Sequence, residues 1–505
     1  MRSSKPALVI ALVAGVSIAL VVPMLAWRDV SEDGATPAGA DTQGNAPADL
    51  EDPSLAGEPA TVTAHTRFLA IGGGSTPEST EVSLEQDMAL AARTLPGPGV
   101  LFFAGGRHAR TVRVLDPRLD GNALLARVGD LVAPRQGRRS RYRRTSLPAH
   151  AATFEAIDAA LGEALAVGSE PLLLYVAAHG EQGEVPGGNL IGLWGQDVLD
   201  VTTLAEVTER TRRPVRVVIA SCFSGGFGEL AFADGNEGKG ATGAPRCGLF
   251  AGPWDRETSG CDPNPNRASQ EGYSMHFLHA LKAEDRNGKP LSLDALDYDH
   301  DGRIGLLDAH TRARIASRSI DVPTTTSERY LRAVANQGPE LDWAIAPEDR
   351  AVVEQLGRDL GLHDAVKVRV RLGDVGRELE ALENALTEAD AVVDGAYGDL
   401  AATLLARWPV LDDAYHPDFA RTVNDDAEAI RAVLDRSAEA AAYDRATERS
   451  EALAERYQEL VVTESMLHRL ARAYESATLA TALHHEGGAH WAAYERLRAC
   501  ERSAP

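Results

Sequence analysis

At 505 residues the chain can hold two or three domains, each with a sizeable core. Its net charge of −23 argues against general nucleic-acid binding, which needs a basic footprint, and four cysteines are too few for a disulfide-built scaffold. They suffice for one reactive thiol and one bridge.

Arg2 and Lys5 precede an uncharged apolar run from Ala7 to Trp27. That run is about 20 residues, enough to cross a bilayer as a helix. The positive flank is expected on the cytoplasmic side, leaving the main body extracytoplasmic, in a periplasm or at a cell surface. A signal-peptidase site is poorly formed here, because Met24 sits two before Ala26 and Pro23 interrupts the run. Residues 1–27 therefore read as a membrane anchor; cleavage would instead give a secreted protein. Residues 28–62 are rich in Ala, Pro, Gly, Asp and Glu and predict a flexible, disordered linker.

The next domain spans residues 63–345. Phe68 to Ile71 predicts a strand, closed by Gly72, Gly73 and Gly74 as a tight turn, and Ser83 is the expected N-cap of the following helix, with Gln86 three residues on. Val100 to Ala104 is a second strand. From Thr111 to His150 the periodicity fails, and six arginines (135, 138, 139, 141, 143 and 144) crowd a solvated insertion loop. Thr153 to Leu165 predicts a helix and Thr203 to Thr211 another. Between and after them lie Pro171–Gly180 (PLLLYVAAHG) and Val215–Gly228 (VRVVIASCFSGGFG), apolar runs of the kind that become fully buried parallel strands. Strand and helix alternating in this way predict an α/β fold: a doubly wound, mostly parallel sheet with helices on both faces.

Reacting groups in such sheets sit just past the carboxyl ends of the strands, where these runs carry His179 and Cys222. A thiolate is the nucleophilic form of cysteine, and an adjacent imidazole holds it ready. The backbone amides of Gly180 and Cys222 would hold a tetrahedral oxyanion. The spacing points to acyl transfer, Cys222 attacking a peptide carbonyl and His179 acting as general acid/base. Ser224 lacks the G-x-S-x-G elbow of a serine hydrolase.

Residues 235–260 read as a loop. Cys247 and Cys261 bracket part of it and are the expected disulfide, with Cys500 left over. Asp255 and Glu257 are candidate substrate-pocket acids. Glu271 to Leu281 predicts a helix. Asp297, Asp299, Asp301, Arg303 and Asp308 then fall at positions one, three, five, seven and twelve of a calcium loop of the EF-hand type, with Gly302 at six. Calcium is the expected ion, in a structural or regulatory role; Asp308 in place of a bidentate glutamate weakens calcium or admits magnesium, and a bare polar turn capping the next helix is the alternative.

Residues 346–505 predict an α-helical hairpin or small bundle. Leu372, Val375, Leu379, Leu382, Leu386, Ala389 and Val393 keep a three-four spacing, as do Leu460, Thr463, Leu467, Leu470, Tyr474 and Ala477. These helices could receive a protein partner.

Ala178-His179-Gly180, followed about 40 residues on by Ala220-Ser221-Cys222-Phe223-Ser224-Gly225, resembles the signature of the caspase-like cysteine peptidases, and Cys-x-Ser-Gly is closest to the legumain and metacaspase branch. The resemblance covers residues 67–334 and implies a caspase-like sheet, Cys222 as nucleophile, His179 as general acid/base and a peptide or protein substrate, with no cofactor needed for the chemistry. The family's acidic residue two before the cysteine is Ala220 here, so its residue preference does not carry over. An inactive caspase-like scaffold and a calcium-responsive interaction module are the rival expectations.

Overall fold

A computed structural model describes residues 60–116, 122–132, 140–338 and 340–505. The expected anchor, nearly all of the linker, and Arg135, Arg138 and Arg139 lie outside the described residues. Among those described, no helix is long and apolar enough to cross a membrane.

In chain order come β1 (Phe68–Gly73), α1 (Val82–Thr94), β2 (Gly99–Phe103), β3 (Val112–Leu115), α2 (Ala123–Val132), β4 (Ser140–Arg143), α3 (Phe154–Val167) and β5 (Leu172–Ala178). There follow β6 (Gly180–Glu181), β7 (Leu190–Gly192), β8 (Val198–Asp200), α4 (Val201–Glu209), β9 (Val215–Ile219) and β10 (Arg246–Phe250). Then come α5 (Tyr273–Leu281), α6 (Leu306–Ala316), β11 (Thr324–Thr325), α7 (Thr326–Val334), α8 (Pro347–Leu360) and α9 (Ala365–Leu405). The chain ends in α10 (Phe419–Asp425), α11 (Ala427–Arg436), α12 (Ala438–Glu486) and α13 (Gly488–Arg502).

Six strands form one sheet in the order β11-β10-β9-β5-β1-β2, parallel except for β11. β5 is central, and every residue from Leu172 to Ala178 is buried, which is why its sequence is an unbroken apolar run. Alternate residues feed two cores. Phe68, Ala70, Leu173 and Tyr175 pack under α1, α5 and α6. Leu69, Ile71, Leu174 and Val176 pack under α3 and α4. The sheet is thus covered by helices on both faces, as predicted. Burying each large aliphatic side chain here is worth about 1.5–3 kcal/mol, so a polar substitution at Leu174 or Val176 would undo the strand.

Strand order reverses between β1 and β5, the topological switch point at which open α/β sheets place ligands. β10 runs through what the sequence suggested was loop. It was hidden by Arg246, whose buried guanidinium donates to the carbonyls of Leu230 (2.9 Å), Phe232 (2.8 Å) and Ala205 (2.7 Å) and pairs with Glu209 at 2.6 Å.

The chain divides into two compact units. The unit carrying the sheet also contains described residues 340–380 and 458–505, so the division does not fall at 345/346. In this unit α13 is bound to the sheet by a disulfide between Cys247 of β10 and Cys500 (Cα–Cα 6.0 Å). The expected Cys247–Cys261 bridge is therefore corrected: Cys247 faces α13, while Cys261 is free and exposed. Glu501, fully buried, accepts from Thr326 Oγ1 (2.7 Å), the Ser327 amide (2.7 Å) and Ser327 Oγ (2.6 Å), which fastens the same helix to α7.

The other unit comprises described residues 122–132 and 381–457. α2, expected as part of an insertion loop, is an amphipathic helix here. Its Leu124, Leu125 and Val128 share a core with Leu400, Leu404, Phe419, Val423 and Ile430.

Candidate active site

His179 directly follows β5, and Cys222 lies three residues beyond β9, so both emerge at the carboxyl edge of the sheet beside the switch point. The two backbones touch there: a Cβ placed on Gly180 would lie 2.0 Å from the carbonyl oxygen of Cys222. Only glycine permits that approach.

His179 is clamped from one side. Its Nε2 is 2.9 Å from the Ser79 carbonyl oxygen and 3.1 Å from Glu81 Oε2. A carbonyl only accepts, so Nε2 carries a proton and donates, and Nδ1 is the nitrogen left for chemistry. Nδ1 lies 3.6 Å from Cys261 Sγ. Burial disfavours the imidazolium, but the hydrogen bonds to Cys261 and to buried Glu81 outweigh it and push the ring's pKa up to about 11.

Cys222 is held by Thr258. The Thr258 amide donates to Sγ at 3.3 Å, and the Thr258 carbonyl oxygen lies 3.5 Å away. Burial pushes this thiol up to about 11, opposed by the Thr258 amide and reinforced by the charges of Cys261 and Glu257. Of the two candidate pocket acids, Glu257 thus acts on Cys222, while Asp255 is exposed. Ser224 is fully buried and its Oγ accepts from the Gly252 amide at 3.3 Å, which removes it as a surface nucleophile.

The turn after Cys222 is braced. Phe223 adopts the left-handed region at φ +57°, a conformation that costs a non-glycine residue roughly 1–2 kcal/mol and persists where surroundings enforce it. Its amide donates to the Arg256 carbonyl at 2.9 Å. Buried Asn189 donates through Nδ2 to the carbonyls of Phe223 and Trp254, each at 2.7 Å. The loop from Ala251 to Cys261 is fixed further on. Asp321 accepts from the Ser259 amide at 2.7 Å, and Ser83 Oγ donates to the Gly260 carbonyl at 2.6 Å. Ser83 is not the N-cap of α1: Glu81 occupies that position, and Ser83 is spent on this loop. Arg256 pairs with Glu464 of α12 at 2.8 Å.

Glu81, Asn189 and Thr258 carried no signal in the sequence, because each is a common polar residue whose role is set by what folds against it. Cys261 was counted only as a bridge partner.

Asp297, Asp299 and Asp301 bring one carboxylate oxygen each within 4.8 Å of one another, around a turn in which Gly302 has φ +87°. These three fit a hard cation. Asp308 does not join them: Oδ1 accepts from the Tyr298 amide (2.9 Å) and Oδ2 from the Gly305 amide (2.8 Å), capping α6. The predicted twelfth-position ligand thus stands outside the three-carboxylate group and caps α6, whereas Asp297 belongs to the group although its oxygens also accept from the amides of Asp301 (3.0 Å) and Gly302 (2.9 Å). Arg303 pairs with Asp301 at 2.8 Å, and Arg502 lies 3.2 Å from Asp299 Oδ2. Glu81, His179 and Cys261 form the other metal-capable group among the described residues, again within 4.8 Å.

Compared with known proteins, the chain matches no family model and no curated protein sequence.

Proposed function

We propose that the protein is a cysteine hydrolase of the caspase-like type. Within that class we read it as an extracytoplasmic cysteine endopeptidase. The observation that carries this is one sheet edge holding both His179, its Nε2 fixed by the Ser79 carbonyl, and Cys222, whose own carbonyl oxygen abuts Gly180. The strand order, with a final antiparallel strand, supports the same class.

In the proposed reaction Cys222 Sγ releases its proton to water, His179 already carrying its own, and the thiolate attacks the scissile carbonyl carbon. The oxyanion is met by the amides of Gly180 and Cys222. His179 gives a proton to the departing amine, and the thioester is then hydrolysed by water that His179 deprotonates. Glu81 and the Ser79 carbonyl keep the ring oriented throughout. Asp297, Asp299 and Asp301 would hold calcium as a structural ion beside α6. The N-terminal apolar run supports membrane attachment, and the helical unit is open to a protein partner.

A second reading is favoured by one contact. The sulfur nearest the imidazole is that of Cys261, so Cys261 is the rival nucleophile. A peptide-library digest with and without calcium separates these. Cleavage lost in Cys222→Ala supports the first reading. Cleavage retained in Cys222→Ala but lost in Cys261→Ala supports the second. A wild-type protein that cleaves nothing leaves an inactive scaffold or a calcium-responsive interaction module.

A further inference from the structure

We propose that His179 Nδ1 and Cys261 Sγ, with Glu81 as a third donor, form a binding site for a thiophilic divalent cation of the zinc class, and that its occupancy switches the hydrolase off. Part of this rests on the peptidase reading; the metal site itself rests only on the geometry.

The bite distance is the first argument. Zinc bonds imidazole nitrogen at about 2.0–2.1 Å and thiolate sulfur at about 2.3 Å, and a tetrahedral angle between those bonds separates N from S by about 3.6 Å. The observed Nδ1···Sγ separation is 3.6 Å. The second argument is the ring's far side. A metal-bound histidine donates its other N–H to a carboxylate or carbonyl, which fixes the tautomer and raises the ligand's basicity. Here the Ser79 carbonyl at 2.9 Å does this, so Nε2–H stays held when the Glu81 carboxylate, 3.1 Å from it, turns to the ion. The third is access and completeness. Cys261 is exposed, so an ion can enter without unfolding. Glu81 places a carboxylate oxygen within 4.8 Å of ligand atoms of the other two residues, and water fills the fourth position at this exposed edge.

The incoming cation takes the lone pairs of Nδ1 and the Cys261 sulfur, and any proton held between them passes to solvent. With Nδ1 coordinated, His179 cannot accept or deliver a proton, and the reaction proposed above stops. Removing the ion restores it.

Cobalt(II) titration of the full-length protein, with the Cys247–Cys500 disulfide intact and Cys222 and Cys261 as free thiols, reads this without reference to activity. The wild type is expected to bind one thiolate-coordinated equivalent, giving a near-ultraviolet sulfur-to-cobalt charge-transfer band that zinc abolishes by displacement. Cys261→Ser and His179→Gln should each weaken that binding at least tenfold and diminish the band. Cys222→Ala should leave the band unchanged, since its sulfur is not among the donors. Asp297→Asn, in the acidic loop, should leave the band unchanged. A band unaffected by Cys261→Ser, or absent from the wild type, overturns the site. If the band behaves as expected while no peptide is ever cleaved, the metal site stands and the peptidase reading falls. If peptides are cleaved and zinc at saturating occupancy of the site fails to inhibit, the switch falls.

Discussion

Cys261 Sγ stands 3.6 Å from Nδ1 of His179, so the imidazole at the sheet edge has a sulfur in contact that does not come from the strand carrying Cys222. Two free thiols therefore lie near this edge, and they differ in setting: Cys261 is exposed and touches the ring, whereas Cys222 is partly buried against Thr258.

Burial moves the Cys222 thiol up to about 11, so at neutral pH its reactive thiolate is scarce. Alkylation of Cys222 should accelerate as pH rises from 7 to 10, by up to about tenfold per unit, and kcat/KM of a Cys222-dependent reaction should rise with it. Residue-resolved labelling by mass spectrometry checks this. A pH-independent Cys222 rate between 7 and 10 contradicts the assignment.

Glu81 is a positioning residue. Its carboxylate helps hold the His179 pKa up at about 11, so Glu81→Gln should bring the ring's titration down, readable by nitrogen-15 NMR. Hydrolysis should fall by about tenfold, a fraction of the roughly 10²–10⁴-fold that general acid/base catalysis contributes, because the Ser79 carbonyl still orients the ring. A merely structural role for Glu81 would leave the ring's titration where it is.

The Arg256–Glu464 ion pair ties the loop behind Cys222 to α12. Glu464 is held down to about 2, chiefly through its hydrogen bond to His468 and then through Arg256, against the effect of burial. Glu464→Gln should cost stability about 1 kcal/mol or less yet lower kcat/KM about three- to tenfold, because the loop carrying Thr258 loses its tether. The charge-swapped pair Arg256→Glu with Glu464→Arg should recover part of that loss. Equal falls in the single and double variants would remove the tether from the account.

Cys247 and Cys500 close a loop of 253 residues. Cys500→Ser should destabilise the protein by roughly 2–5 kcal/mol in denaturant unfolding, most of it through a less restricted unfolded chain. Non-reducing peptide mapping should return Cys247 linked to Cys500, with Cys222 and Cys261 free. A Cys247–Cys261 peptide would refute this pairing.

His310 is fully buried, and burial lowers its pKa to about 3 from an ordinary 6.5, with Arg314 and Arg498 lowering it and Glu328 opposing. Between those values the unfolded chain binds a proton that the folded one does not. The stability it confers is therefore whole above about pH 6.5 and declines as pH falls toward 3, by at most about 1.4 kcal/mol per unit. Urea unfolding at pH 7 and pH 5 should show a smaller acid loss for His310→Gln, by about 1–2 kcal/mol. An identical loss in both proteins contradicts it.

The chain by itself determined the central strands and the placing of His179 and Cys222 at the sheet edge. A strand covered on both faces must be apolar throughout, so Leu172 to Ala178 declared itself, and the abrupt ends at His179-Gly180 and Ser221-Cys222 located the rim. The tight turn at Gly73 was legible for a similar local reason, its φ of +93° being glycine's territory. What lay across the fold was not legible. Whether β10 is a strand depended on carbonyls and Glu209 gathering around Arg246; whether Cys247 found Cys261 or Cys500 depended on where α13 docks. Asp308 could serve an ion or a helix end, and only the nearby amides of Tyr298 and Gly305 chose between them. The partners of His179 were likewise settled in three dimensions, because hydrogen bonds and ion pairs between residues 82 or 98 positions apart depend on folded proximity, which local residue patterns do not encode.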